Sequence, residues 1–146
     1  MDFYSLDVET ANADYSSICQ IGIAGFKDGE LKDKWVTLIN PESYFDPFNT
    51  GIHGIQAEDV KSAPTFDKIH KELTDRIEGK IVIHHMPFDR IALSRACLEY
   101  GLIVIQPQWL DSARIVRRTW DQFAQRGYGL SNVSDFLGIS FEHHDA

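Results

Sequence analysis

The sequence predicts a single α/β domain over residues 1–146, with a mixed sheet and helices on its faces. Two features lead to this fold class. The N-terminal part contains three successive β-prone segments, which is typical of an antiparallel meander. Beyond them, segments with helical spacing alternate with short apolar runs, as expected where later strands join a sheet. No repeat, linker or biased segment interrupts the chain, so we expect one domain.

Three N-terminal strands are predicted from composition and turn chemistry. They are residues 3–8, 18–26 and 31–39. Asp28-Gly29 separates the second strand from the third, and an Asp-Gly pair favours a tight hairpin turn. Asn40-Pro41 ends the third strand. The segment 44–54 is predicted to be a loop, because Asp46-Pro47 and Gly51 are expected to interrupt regular structure.

The remaining elements are predicted from periodicity and from flanking proline and glycine. A helix is expected after Pro64-Thr65 and before Gly79, because its apolar residues recur every three or four positions. These residues are Phe66, Ile69, Leu73 and Ile77. The later predictions, in chain order, are a strand at 80–84, a helix at 88–100, short strands at 102–105 and 109–110, a helix from 112 to about 125, and a helix at 130–137.

Composition excludes several classes of protein. Lys and Arg number 14 against 22 Asp and Glu, a net charge of −8, whereas DNA-coating and membrane-surface proteins carry a basic excess. The N-terminus does not resemble a signal peptide, and no apolar run is long enough for a membrane span, so we expect a cytoplasmic protein without a membrane partner.

Cys19 and Cys97 lack C-x-x-C spacing and are expected to be buried thiols without a disulfide partner. A single disulfide bridge between them stays an open alternative.

Acidic residues distinguish this chain from a generic α/β domain. Asp7-Val8-Glu9 places two carboxylates on one face of the first strand, about 7 Å apart, where they repel unless a cation lies between them. Asp89 begins a predicted helix, and Glu142-His143-His144-Asp145 lies near the last residue. Taken singly, these are a polar strand face, a helix N-terminal residue and a solvated tail. Taken together, they indicate a metal or catalytic site.

Ordered blocks along the whole chain carry a family resemblance. They are Asp7-Val8-Glu9-Thr10, Ile52-His53-Gly54-Ile55 followed by Val60, Phe88-Asp89 followed by Leu93, Asp111-Ser112 leading into Arg117-Arg118, and the closing His144-Asp145-Ala146. This order resembles the DEDDh 3′-to-5′ exonucleases, the family of the proofreading subunit of the bacterial replicative polymerase, ribonuclease T and oligoribonuclease. The resemblance implies a ribonuclease H-like fold with a mixed five-stranded sheet, in which parallel strands extend a three-strand antiparallel meander.

The resemblance also implies a reaction, namely hydrolysis at the 3′ end of single-stranded nucleic acid, DNA being favoured over RNA, with release of nucleoside 5′-monophosphates. Two divalent cations, Mg²⁺ or Mn²⁺, would be held by Asp7, Glu9 and Asp89, and such hard cations prefer carboxylate oxygens. Asp7 would bridge both ions, Glu9 would hold the ion that activates water, and Asp89 the other. His144 would be the general base, with His143 as its rival.

Further residues are expected on the substrate side. Backbone N–H groups at Thr10, Ala11 and Asn12 are candidates for binding the 3′ hydroxyl or its phosphate. His53 either lies beside the terminal nucleotide or bonds backbone. Phe88 either stacks on the terminal base or joins the core.

Basic residues and one departure from the family pattern complete the predicted substrate side. Arg114, Arg117 and Arg118 share one predicted helix, with Arg126 after it, and form either a patch for a nucleic-acid backbone or an ordinary solvated surface. His85 stands where the family usually has Asn, which leaves open the hydrogen bond that the Asn would supply.

Three hypotheses about the function of the chain remain. When the family pattern H-x-A-L-x-D-A is placed on His144-Asp145-Ala146, the fourth carboxylate falls past Ala146, so we expect the domain to lack its C-terminal helix. The alternative is a catalytically incomplete module that binds nucleic acid or a polymerase. A weaker third possibility is another metal-dependent phosphoester activity. The expected partners are single-stranded DNA or RNA 3′ ends, and a DNA polymerase or helicase in replication or repair.

Overall fold

A five-stranded mixed sheet forms the centre of the molecule. The computed structural model describes residues 1–140, and the predicted base His144 and its rival His143 lie outside the described residues. The strands are β1 (Phe3–Thr10), β2 (Ile18–Lys27), β3 (Glu30–Leu38), β4 (Ile81–His84) and β5 (Gln108–Asp111), in the order β3-β2-β1-β4-β5. The first three pair antiparallel, and β4 and β5 extend the sheet in parallel. The predicted meander with added parallel strands is confirmed.

Six helices accompany the sheet in the described part of the chain. They are α1 (Pro47–His53), α2 (Ala57–Val60), α3 (Phe66–Ile77), α4 (Phe88–Glu99), α5 (Ser112–Thr119) and α6 (Leu130–Leu137), with a 3₁₀ turn at Asp121–Phe123. Buried side chains of α3 and α4 pack on the sheet in one cluster, which includes Leu6, Val8, Leu73, Val82 and Leu93. None of the helices in residues 1–140 has the length and apolar character that a bilayer span requires.

The prediction that residues 44–54 form a loop is wrong, because helix α1 occupies most of this segment. Asp46 caps the helix by accepting a hydrogen bond from Phe48 N at 2.8 Å, and Pro47 takes the first helical position. Gly54 ends the helix with φ of 76°. Asp-Pro and Gly therefore mark the two ends of a short helix rather than a break in regular structure.

Two predictions farther along the chain are also wrong. The segment 102–105 is not a strand, because Leu102 N bonds Cys97 O in the turn that closes α4, and Ile105 fills the core without pairing to the sheet. The helix predicted to reach about residue 125 ends at Thr119. Trp120 has extended backbone angles of −124° and 117°, and these cannot continue a helix.

Candidate active site

Strand β1 carries the first two predicted ligands. Its alternation places Asp7 and Glu9 on one face and buries Val8 on the other, in the core. Glu9 is buried whereas Asp7 is exposed, so the pair runs from the interior of the sheet toward solvent. The carboxylate pair predicted from strand period is therefore present.

Asp89 reaches β1 from α4, the helix that follows β4. In the parallel pairing of β1 with β4, Tyr4 lies beside Val82 and Ser5 lies beside Ile83. Beyond that point the chain turns through Met86, at φ of 70°, into α4. The Asp89 carboxylate then accepts a hydrogen bond from Val8 N at 3.0 Å. Its side chain thus comes to lie against the backbone that joins Asp7 to Glu9.

The environment of Asp89 disfavours its ionised form. The residue is 4% exposed. Burial, as the largest cause, together with the nearby negative charges of Asp7 and, more weakly, Glu9 raises the pKa of Asp89 to about 7, against the opposing hydrogen bond from Val8 N. Because both carboxylates of β1 act on Asp89, the structure brings together the three acidic residues that the sequence predicts.

The three carboxylates suit a hard divalent cation in their chemistry. Oxygen donors are what Mg²⁺ and Mn²⁺ prefer, and a cation would remove the repulsion that raises the pKa of Asp89. Within residues 1–140, no group of three or more His, Cys, Asp or Glu side chains is already spaced to hold a metal ion. The donor types therefore fit the cation, while the described residues alone do not form a closed coordination shell.

Helix α1 is fastened to the end of β1 by two side chains. Asn49 Nδ2 donates to Thr10 O at 3.0 Å and to Thr10 Oγ1 at 3.2 Å. His53 Nδ1 accepts from Ile55 N at 3.0 Å, so Nε2 is the nitrogen that donates to Thr10 O, at 3.1 Å. Of the two alternatives for His53, the structure shows the backbone-bonding one. Sequence reasoning missed Asn49, which the Asp-Pro and Gly ends of a helix would have placed.

The turn after β1 already uses the N–H groups that were expected to bind substrate. Ala11 N donates to Ser17 O at 2.8 Å, and Asn12 N lies 3.2 Å from Ser17 Oγ. The side chain of Asn12 donates to Tyr44 O at 2.8 Å. Both residues are buried. Ala11 and Asn12 use these N–H groups to hold the turn together, and their predicted contact with a 3′ hydroxyl or phosphate stays a prediction.

Exposed apolar side chains lie on α1 near this strand end. Phe48 is 74% exposed and Ile52 is 42% exposed, and residues four apart share one side of a helix. Phe88 is different, because its half-buried ring packs against the core and meets the Tyr15 ring edge to face at 4.9 Å. The core alternative for Phe88 is therefore the one that the structure favours. This exposed apolar surface belongs to α1, which is bonded to the end of β1 and which the sequence predicts as a loop.

His85 ties the end of β4 to later parts of the chain. Its Nδ1 lies 2.9 Å from Ser112 Oγ, and its Nε2 lies 2.8 Å from Tyr128 O. The Arg117 guanidinium also lies over the Tyr128 ring, 4.8 Å from its centre, and Arg117 Nε donates to Ala124 O. These contacts fix the segment after α5 against the sheet. They also engage Arg117 with Tyr128 and Ala124, and the two alternatives for the arginines of α5, a patch for a nucleic-acid backbone or a solvated surface, stay predictions.

Comparison with known proteins identifies the family. The profile of the ribonuclease T exonuclease family matches residues 5–146. The chain belongs to this family. The 3′-5′ exonuclease DinG of Staphylococcus aureus strain USA300 is 24% identical over an alignment of 138 residues, and the alignment covers 92% of this chain and 15% of that protein. The same values hold for the DinG of strain NCTC 8325, so the chain spans about 15% of the length of these curated relatives.

Solved structures with the same fold include other exonucleases. Escherichia coli Exonuclease I in complex with a dT13 oligonucleotide has a TM-score of 0.84 at 12% identity, over 99% of this chain and 38% of that one. Exonuclease X in complex with 5′ overhanging duplex DNA has 0.72 at 17%, over 96% and 75%. The nuclease domain of 3′hExo, a DEDDh family member bound to rAMP, has 0.76 at 15%, over 98% and 82%. The expected ribonuclease H-like fold is confirmed.

Proposed function

We propose that this exonuclease-family domain is a metal-dependent 3′-to-5′ exonuclease that releases nucleoside 5′-monophosphates from single-stranded nucleic acid. The observation that carries the proposal is the burial of Asp89 against β1, beside Asp7 and Glu9. Such an arrangement is costly to the folded protein unless cations are bound there. DNA is proposed as the substrate on the pattern of Exonuclease X and Exonuclease I, which were solved with DNA, and RNA is the alternative, since the 3′hExo nuclease domain was solved with rAMP.

The acidic residues would hold the metal ions. Two Mg²⁺ or Mn²⁺ ions at Asp7, Glu9 and Asp89 would acidify the attacking water and stabilise the leaving 3′ oxygen. The bond from Val8 N fixes the orientation of Asp89, so its carboxylate needs little rearrangement when a cation binds. His144, outside the described residues, would accept the proton of the attacking water. The fourth carboxylate, expected past Ala146, stays a prediction.

Helix α1 would position the terminal nucleotide. Phe48 and Ile52 present apolar surface on which a base can stack, a contact that tolerates any base. Asn49 and His53 hold this surface against Thr10 at the end of β1. In this proposal His53 places the helix and does not itself react.

The test uses an oligonucleotide labelled at one end or the other, with Mg²⁺ or Mn²⁺. We expect stepwise shortening from the 3′ end, loss of activity in EDTA, and loss of activity on Asp7→Asn, which removes the charge while keeping the shape. Asp135→Asn makes the same change at an exposed position of α6 and should leave the rate unchanged. Shortening that survives both EDTA and Asp7→Asn would refute the proposal.

A second candidate is a binding module without catalysis, which engages nucleic acid or a polymerase. It is favoured by the lack, within residues 1–140, of a group of three side chains spaced to hold a metal. This candidate predicts oligonucleotide binding without shortening at any divalent cation concentration. A polymerase or helicase as partner is likewise a proposal, motivated by relatives of which this domain matches 15% of the length.

A further inference from the structure

Two cavities lie beside α4 at the β5 edge of the sheet, the larger between α4 and residues 104–106 and the smaller between α4 and α5. Their volumes are about 390 Å³ and 280 Å³, and both are lined by Arg90 and Trp109. The larger cavity is also lined by Arg95, and the smaller by Arg114 and Arg118. We call this surface the arginine groove, defined by Arg90, Arg95, Trp109, Arg114 and Arg118. It concentrates four of the 14 basic residues of a chain whose net charge is −8.

The acidic residue that lines the groove already accepts hydrogen bonds from the backbone. Asp111 Oδ1 accepts hydrogen bonds from Ala113 N at 3.0 Å and from Met86 N at 3.1 Å. It caps α5, and these backbone dipoles satisfy much of its charge. Among the lining residues that the structure describes, Asp111 is the one carboxylate. The potential inside the groove is therefore dominated by arginine.

The arginines around the smaller cavity form no ion pair within the described part of the chain, and the Asp111 carboxylate beside them is engaged by backbone N–H groups. Within residues 1–140, ion pairs form elsewhere, for example between Arg76 and both Asp33 and Glu72, but not at Arg90, Arg114 or Arg118. Arg114 and Arg118 are four residues apart and share one face of α5. Three guanidinium groups around one cavity repel one another until an anion enters.

The arginine groove and the acidic site use consecutive residues of α4. Asp89 and Arg90 are consecutive on α4, with Asp89 directed to β1 and Arg90 lining the groove. The groove thus begins one residue from a proposed metal ligand. Trp109 adds a half-buried aromatic side chain to both cavities. Planar guanidinium groups match phosphate oxygens in pairs, and an aromatic side chain offers stacking to a base.

We propose that the arginine groove binds the phosphodiester backbone of a single strand on the 5′ side of the 3′ end that occupies the acidic site. The inference rests on the proposed function. A nucleic acid fits better than an acidic peptide, because arginine and an aromatic side chain lie together and Arg90 of the groove directly follows Asp89 of the acidic site on α4. Arg114 and Arg118 bind phosphates, and Arg90 joins the groove to the acidic site.

The test is binding, measured in EDTA so that no cleavage occurs. Fluorescence anisotropy of a 5′-labelled strand of about 12 nucleotides is compared for Arg114→Ala/Arg118→Ala and for Lys32→Ala/Lys34→Ala. The control variant removes the same charge from β3, at the opposite edge of the sheet. We expect the groove variant to bind about tenfold or more weakly and the slope of log Kd against log salt to fall by roughly 1.4, since each phosphate contact on a single strand contributes about 0.7.

A second readout separates this inference from the proposed function. In the groove variant, KM for the long strand rises while hydrolysis of a p-nitrophenyl ester of a nucleoside 5′-monophosphate is unchanged. Wild-type protein that binds the strand through the groove but cleaves nothing supports the groove and refutes the proposed function. Equal Kd and salt slope for the two variants would overturn the groove. Stronger displacement of the strand by polyglutamate than by unlabelled strand would overturn it too, in favour of a protein partner.

Discussion

Replacing Asp89 by Asn is expected to stabilise the metal-free protein while it abolishes nuclease activity. The amide oxygen of Asn can still accept the hydrogen bond from Val8 N, observed at 3.0 Å. The negative charge disappears from a side chain that is 4% exposed and faces Asp7 and Glu9. The variant therefore removes repulsion and desolvation cost while it keeps the local packing.

The size of the effect follows from the pKa of Asp89, which rises from 3.8 to about 7 on folding. Each pKa unit is worth about 1.4 kcal/mol. Because a carboxyl group with a raised pKa binds its proton more tightly when folded, stability falls as pH rises from about 4 to about 7 and is constant above that. The cost above pH 7 is roughly 4 kcal/mol, and the gain on replacement by Asn should grow by roughly 2–3 kcal/mol between pH 5 and pH 8.

The assay is urea unfolding in EDTA at both pH values, followed by circular dichroism. Adding Mg²⁺ should stabilise the wild-type protein and have less effect on the variant, since ligand binding to the folded state raises stability. Asp135→Asn, at an exposed position, is the control and should show no such pH dependence. A variant that is no more stable than wild type at pH 8, or equally stabilised at both pH values, would show that the carboxylates do not repel as argued.

Three further results are expected. Asn49→Ala should lower the free energy of unfolding in urea by about 1–2 kcal/mol, because it leaves Thr10 O with one donor fewer. It should also raise KM for an oligonucleotide. The same change at exposed Asn132 should alter neither quantity. Phe48→Ala should change stability by less than about 0.5 kcal/mol yet raise KM severalfold, and an unchanged KM would remove Phe48 from the substrate site. Cys19 is buried, and its burial and the nearby charge of Glu9 raise the pKa of its thiol to about 12. Iodoacetamide at pH 8 should therefore modify Cys19 only after unfolding. Rapid labelling of the native protein would contradict this.

Elements with a strong local pattern were predictable. Helix α3 runs from Phe66 to Ile77, and α6 from Leu130 to Leu137, as the apolar spacing and the neighbouring glycines indicated. The wrong predictions arose where one sequence pattern is compatible with two different structures. Asp46-Pro47 both interrupts strands and starts helices, and the apolar run 102–105 places Ile105 in the core without pairing with a strand.

Local order was enough to place Asp7 and Glu9 side by side, because the alternation of a strand depends on neighbouring residues alone. The bond from Val8 to Asp89 joins residues 81 positions apart, and it depends on where the β1–β4 pairing ends and how α4 docks. In the same way, packing around Tyr128 removes Arg117 from the groove that Arg114 and Arg118 line. Such contacts are set by the packing of whole elements against one another, and no short window of residues encodes that packing.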